Sequence, residues 1–294
     1  MIFRGYEITK ETAKRLEILK QSRNIVGLSG GKDSMATCIM LHRLGIPFST
    51  VTAEVWWKDG ITGENPYHHE WLHEKAIPML QSWGVQCDLV RSKITAYEYM
   101  TTPIKKSNHQ ERIGKLRGFP LCGRCGIQRD CKVRPCDKYY RQQTTDYNVI
   151  TGIAKDETER LLSNVNNNRI SILELLGIRE VETFEICASE ELLSPIYTFT
   201  DRNGCWFCPN QKIQELELLY REFPEYWEEL MEVQRMPNKV QENFTRRHTL
   251  YEIEKIIKSG VQMRIFTGWW HLNNEQVTTH KSVRNTPAGK KGGI

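Results

Sequence analysis

No apolar run in this sequence approaches the ~18–20 residues that a membrane-spanning helix needs. Its opening stretch, MIFRGYEITKETAKRLE, carries acids where a secretory signal would carry an apolar segment. These absences exclude a spanning helix of that length and lead us to expect a cytoplasmic protein with no membrane partner. Nor is there an internal repeat. Nine cysteines form an odd set with no secretion signal beside them, which argues against a disulfide framework. What is present, 294 residues at 39% hydrophobic, 10% aromatic and 26% charged, is the composition of a globular protein with one large or two modest domains.

The net charge of +5 is unevenly placed. Residues 105–141 hold eleven Lys/Arg against three acids, and residues 276–294 hold four basic residues (Lys281, Arg284, Lys290, Lys291) and no acid. The rest is therefore net acidic. Six cysteines are also clustered: Cys122, Cys125, Cys131 and Cys136 in one stretch, Cys205 and Cys208 in another, while Cys38, Cys87 and Cys187 are scattered in apolar surroundings.

Hydrophobic patterning predicts a helix over 10–20, a short buried strand over 24–28, a glycine turn, and a second helix ending at Gly45. Strands over 48–55, 86–91 and 148–153 and a helix over 68–83 continue the alternation of a parallel α/β unit. A short helix is expected near 136–143 and a charged helix start at 155–162, with the pattern broken again by the asparagine-rich 164–168. The weaker apolar runs 182–186 and 193–197 are expected to be the fifth strand and the link out of the sheet. Helices are expected over 211–221, 224–235 and 249–258. The expected domains are a nucleotide-binding α/β unit over 1–200, with a basic cysteine-bearing insertion at about 92–145; a Cys-pair knuckle with helices over 201–272; and a basic, flexible tail over 273–294.

The string Val26-Gly27-Leu28-Ser29-Gly30-Gly31-Lys32-Asp33-Ser34 falls at the carboxyl end of the first parallel strand, where α/β sheets bind ligands. Gly30 and Gly31 let main-chain N–H groups approach an anion, the following helix points its positive end there, and Ser29, Ser34 and Lys32 add hydroxyls and a cation. This is a polyphosphate cradle, though not a Walker A loop: Gly27 and Gly31 enclose three residues and Lys32 is followed by Asp33.

The Ser-Gly-Gly-Lys-Asp-Ser string resembles that of the PP-loop ATP pyrophosphatases. Within that superfamily the chain looks most like the phosphoadenosine phosphosulfate (PAPS) reductase-like branch, which includes the sulfurtransferases of DNA phosphorothioation. The branch's Gly-Ile/Leu-Arg-x-x-Glu-Ser…Arg segment is matched by Gly152-Ile153-Ala154-Lys155-Asp156-Glu157-Thr158-Glu159-Arg160, with Ala154 for the usual arginine and Thr158 for serine. Its Pro-Ile-x-x-Phe/Trp-Thr element resembles 194–200, Ser-Pro-Ile-Tyr-Thr-Phe-Thr. The resemblance covers about residues 24–210. It implies a Rossmann-like, adenine nucleotide alpha hydrolase-like fold: a five-stranded parallel sheet with helices on both faces, plus the cysteine-containing insertion and a mainly helical C-terminal region. It also implies ATP with Mg²⁺, cleavage between the α- and β-phosphates, and activation of a substrate as an adenylate. On that reading Ser29, Gly30, Gly31, Lys32, Asp33, Ser34, Gly152, Ile153, Glu157 and Arg160 bind nucleotide; Lys32, Asp33 and Arg160 are catalytic, with Asp33 assisting the metal.

The two CxxC pairs, Cys122/Cys125 and Cys205/Cys208, supply four thiolates, enough for zinc or an iron–sulfur cluster, and Cys131 or Cys136 is an alternative ligand. By the resemblance a [4Fe–4S] cluster is expected, with Zn²⁺ as the alternative. A PAPS reductase carries a nucleophilic cysteine in an acidic segment near its C-terminus, whereas this chain has no cysteine after Cys208. Expectation therefore favours sulfur transfer, with a thiol or a cysteine desulfurase as donor and DNA or RNA as acceptor. The alternatives are a sulfonucleotide (PAPS or APS) reductase and a zinc-containing nucleic-acid-binding protein with a regulatory nucleotide site. The basic stretch suits nucleotide phosphates or a nucleic-acid backbone. Trp269, Trp270 and His271 suit base stacking or the burial of a terminal helix.

Overall fold

The computed structural model describes residues 2–3, 6–120, 123, 125–167 and 169–259. Five parallel strands form its sheet: β1 (Asn24–Gly27), β2 (Ser49–Glu54), β3 (Cys87–Arg91), β4 (Asn148–Thr151) and β5 (Arg169–Ser171). Their spatial order is β5-β4-β1-β2-β3, with Ile25 paired to Ser49 on one side and Val149 on the other. The order reverses between β1 and β4, so a crevice opens there beyond the carboxyl ends of the strands.

Local chemistry explains the first elements. Helix α1 (Lys10–Lys20) is capped by Thr9, whose side chain accepts from the Thr12 N–H at 3.1 Å. Buried Asn24 is fully engaged: Nδ2 donates to the Leu19 carbonyl at 2.8 Å and the Pro47 carbonyl at 2.9 Å, and Oδ1 accepts from Asn148 at 3.0 Å. This side chain ties α1, β1 and β4 together at the sheet's amino end. Helix α2 (Lys32–Arg43) is apolar nearly all round, with Met35, Ala36, Cys38, Ile39, Met40 and Leu41 fully buried, as a central helix must be. It ends on Gly45 in the left-handed region, φ 64°.

One expectation needs correction. Residues Glu182–Ala188 are a helix, not the fifth strand: Thr183, Ile186 and Cys187 are buried, a three-and-four spacing that faces α2. The fifth strand is Arg169–Ser171. The break expected over 164–168 falls where the helix Thr158–Asn166 ends; Asn164 still lies inside it, its buried amide donating to Thr151 Oγ1 at 2.7 Å. Past Asp201 a further short strand, Lys239–Gln241, runs parallel to Leu116–Gly118.

A second apolar cluster joins segments far apart in sequence. Val55 and Trp57 from the chain after β2 pack with Phe119, Ile127 and Cys131, and with Trp206, Phe207, Leu230 and Phe244. The Trp57 and Trp206 rings are 4.7 Å apart. Both cysteine-bearing stretches are thereby anchored to the end of β2. Among the described residues no helix is long and apolar enough to cross a membrane.

Candidate functional site

A cleft of about 480 Å³ opens at the reversal between β1 and β4, within the ~300–1,000 Å³ usual for small-molecule sites. Ser29, Gly31, Asp33 and Ser34 line it from the first strand–helix turn, and Gly152, Ile153 and Arg160 line it from the chain after β4.

The turn is held by its own hydroxyls. Ser34 Oγ donates to the Gly31 carbonyl at 2.9 Å and accepts from the Ser29 N–H at 3.2 Å; Ser29 Oγ accepts from the Gly31 N–H at 3.3 Å. Gly31, the N-cap of α2, offers no side chain to the first-turn amides, and the Lys32 N–H donates to Tyr197 Oη at 3.0 Å. Gly30 has φ 71°, and a Cβ there would stand 2.7 Å from the His68 ring. Gly152 is required for a different reason: a Cβ would lie 2.5 Å from Ser34 N. The end of β4 therefore presses against the start of α2.

Lys32 does not line the cleft. Its buried ammonium donates to Asp33 Oδ1 at 2.8 Å and Glu180 Oε1 at 2.7 Å, and Thr183 Oγ1 donates to the same Asp33 oxygen at 2.9 Å. Burial opposes the charge on Lys32, but the bonds to Asp33 and Glu180 outweigh it and hold its pKa above the ordinary lysine value. Glu157 fixes the segment after β4 by accepting from the Ala154 N–H at 3.0 Å, and it pairs with Arg160.

Several cleft residues escape sequence reasoning. His68 is fully buried, with Nδ1 2.9 Å from Ser194 Oγ and Nε2 3.0 Å from Asn203 Nδ2. Nε2 also lies 3.3 Å from the Ser29 carbonyl, to which Asn203 Nδ2 donates at 3.0 Å, so His68 joins Ser194, Asn203 and the turn. Ser194 and Tyr197 both belong to the Ser-Pro-Ile-Tyr element, which touches the cleft residue His68 through Ser194 and the start of α2 through Tyr197. Burial, only partly opposed by Glu64, lowers the His68 pKa from 6.5 to about 4. The neutral ring's contribution to stability is thus present above pH 6.5 and lost as pH falls towards 4, a change of roughly 3 kcal/mol. Urea unfolding across that window should show this loss, and His68→Gln should flatten it; an equally steep profile in the variant would refute the assignment.

Glu54, His69 and His73 form another group on the cleft wall. Burial, and then His73, lowers the His69 pKa. The clustered histidines in His68-His69-Glu-Trp-Leu-His73 are visible in the sequence, but Glu54 as their partner is not.

The cysteines adjoin the same cleft. Lys132 lines it and pairs with Glu64 at 2.7 Å, and the Cys205 and Cys208 thiols help hold the ammonium's pKa up against burial. Burial raises the Cys205 thiol; Lys132 opposes this, while Glu64, Cys208 and Cys125 add to it. Arg202 Nη2 donates to Cys208 Sγ at 3.0 Å, and the Gln128 N–H donates to Cys125 Sγ at 3.4 Å. Burial thus outweighs Lys132 at Cys205 and favours its protonated form, so a bound metal would itself have to draw off the proton. Among the described residues, no three cysteines bring their sulfurs within 4.8 Å of one another. Cys131 is buried in the second apolar cluster, with Sγ towards the Ile94 carbonyl at 3.6 Å. Cys136 stands on the cleft wall, its thiol pushed up to about 11, chiefly by burial. Cys122, Arg124, Trp269, Trp270, His271 and the basic tail lie outside the described residues.

No protein-family description matches the chain, and no curated protein matches it significantly.

Proposed function

We propose that this chain is a PAPS reductase-like PP-loop enzyme that binds ATP, cleaves it between the α- and β-phosphates to activate a substrate as an adenylate, and transfers sulfur to that substrate. The observation that carries the reading is Lys132: it lines the cleft of the Ser29–Ser34 turn and lies beside the Cys205 and Cys208 thiols. Phosphate chemistry and sulfur chemistry would then share one crevice. In the same reading residues 92–145 are an insertion, and the chain from residue 201 is a mainly helical region that carries the second cysteine pair.

On exchanging their present internal partners, the turn amides and the Ser29 and Ser34 hydroxyls would hold the phosphates, with Arg160 and a Lys32 released from Glu180 neutralising charge that develops as pyrophosphate leaves. Asp33, already on the cleft, is the carboxylate for Mg²⁺. The acceptor oxygen forms its bond to the α-phosphorus as the bond to the bridging oxygen breaks; the outer sulfur of a carrier persulfide then displaces AMP, and two donor thiols reduce the resulting disulfide, freeing the sulfur-bearing product and the carrier thiol and becoming a disulfide themselves. Cys122, Cys125, Cys205 and Cys208 would hold a [4Fe–4S] cluster, with Cys131 or Cys136 as alternative ligand and Zn²⁺ as the alternative metal. When bound, the cluster would relay sulfur or electrons. A nucleic acid is the acceptor that best suits the eleven basic residues of 105–141.

Protein purified anaerobically should be brown, contain iron and sulfide, and release pyrophosphate and AMP from ATP. Colourless protein with stoichiometric zinc would sink the cluster assignment. Sulfite production from PAPS or APS with a thiol reductant would replace sulfur transfer with sulfonucleotide reduction. Tight, salt-sensitive nucleic-acid binding without ATP turnover would replace both with a binding protein.

A further inference from the structure

Three side chains on the cleft wall form a ligand set that neither the phosphate turn nor the cysteines use. Glu54 is the last residue of β2. His69 lies in the helix Pro66–Trp71, and His73 lies in the π-helical stretch Leu72–Ala76 that continues it. A spacing of four residues puts both imidazoles on one helix face, and π-helical turns recur at functional sites. The two rings are 4.5 Å apart at an interplanar angle of 55°. One ligand atom from each of the three residues lies within 4.8 Å of the other two.

The contacts within the group are unfinished as protein structure. Glu54 Oε1 and His73 Nε2 are 2.9 Å apart, yet this nitrogen is buried and makes no properly directed hydrogen bond among the described residues. A plain ion pair would align an N–H with the carboxylate. Glu64 Oε1 is paired with Lys132 and His68 is engaged with Ser194 and Asn203, so neither completes the contacts of this group.

We propose that Glu54, His69 and His73 bind one divalent transition-metal ion, with its remaining coordination positions open to the cleft. Two imidazoles and a carboxylate suit zinc, iron(II) or cobalt(II); Mg²⁺ prefers oxygen donors. Ligand atoms ~2.1 Å from a tetrahedral ion stand ~3.4 Å from one another, so small side-chain rotations within the present group close the site. Three protein ligands with open positions are also the pattern of metal sites that act on a bound molecule rather than merely staple a fold. The open positions take water or an oxygen donor of the cleft's ligand. This ion is separate from any Mg²⁺ held with phosphates and from any metal held by cysteines.

Cobalt(II) distinguishes the sites, because thiolate-bound Co²⁺ has an intense near-ultraviolet charge-transfer band and nitrogen- and oxygen-bound Co²⁺ has only weak visible bands. Metal-free full-length protein titrated anaerobically should take up one equivalent that adds visible bands without charge transfer. His69→Gln combined with His73→Gln should lose that equivalent alone, and Glu54→Gln should weaken it at least ~10-fold. Circular dichroism checks the fold; if the double variant unfolds, the near-isosteric Glu54→Gln decides the question by itself. Overturning results are a wild-type protein with no such equivalent at micromolar Co²⁺, or variants that bind it as wild type does.

Discussion

Gly152→Ala is expected to lower ATP affinity at least ~10-fold and the melting temperature by several degrees. The new Cβ would stand 2.5 Å from Ser34 N and 2.7 Å from Asp33 C and Ser34 Cα, all backbone atoms that no rotamer change can move. Restoring ordinary contact at ~3.5 Å requires the end of β4 and the start of α2 to part by roughly 1 Å. Overpacking of this kind costs about 1–3 kcal/mol, and here the displaced atoms are those of the phosphate turn. Gly45→Ala is the control: its φ of 64° makes it strained too, but a Cβ there meets nothing within 4 Å, and it lies at the far end of α2. Calorimetric titration with ATP and thermal unfolding of both variants decide the matter. Unchanged ATP binding in Gly152→Ala would remove this contact from the site.

Lys32→Ala should reduce pyrophosphate release at least ~100-fold, the scale for removing a charged group that stabilises a developing anion. The same change leaves Asp33 and Glu180 facing each other without the ammonium that bonds both, so some loss of stability is also expected. Glu180→Gln separates these effects. It removes the more exposed of the two partners, costs at most ~1 kcal/mol of stability, and frees the ammonium for phosphate. This variant should keep its turnover and bind ATP at least as tightly as wild type. Undiminished pyrophosphate release in Lys32→Ala would remove the lysine from the mechanism, and lost turnover in Glu180→Gln would make the glutamate part of it.

Particular residues show which features were legible. Ser29–Ser34 could be read because a buried strand, a glycine pair and an apolar helix follow one another within about twenty residues, each with its own local signature. Glu182–Ile186 could not: Thr183-Phe184-Glu185-Ile186 reads equally as alternation, and only packing of Thr183, Ile186 and Cys187 beside α2 makes it helical. Arg169–Ser171 is three residues long, too short for a period of two to stand out. Gly152 was expected in the nucleotide site and lines the cleft, but its close contact with Ser34 was not legible.

By itself the sequence determined the parallel α/β alternation, the glycine turn at the end of the first strand, and the clustering of charge and thiols. Those features are written in neighbouring residues, through periodicity, backbone freedom and composition. Tertiary structure alone decided that Glu180 holds Lys32, that Ser194 orients His68, that Glu54 meets His69 and His73, and that Lys132 links the thiols to the cleft. Each of those contacts depends on how the sheet and the second apolar cluster bring distant segments together, and a side chain's sequence neighbours carry no record of that approach.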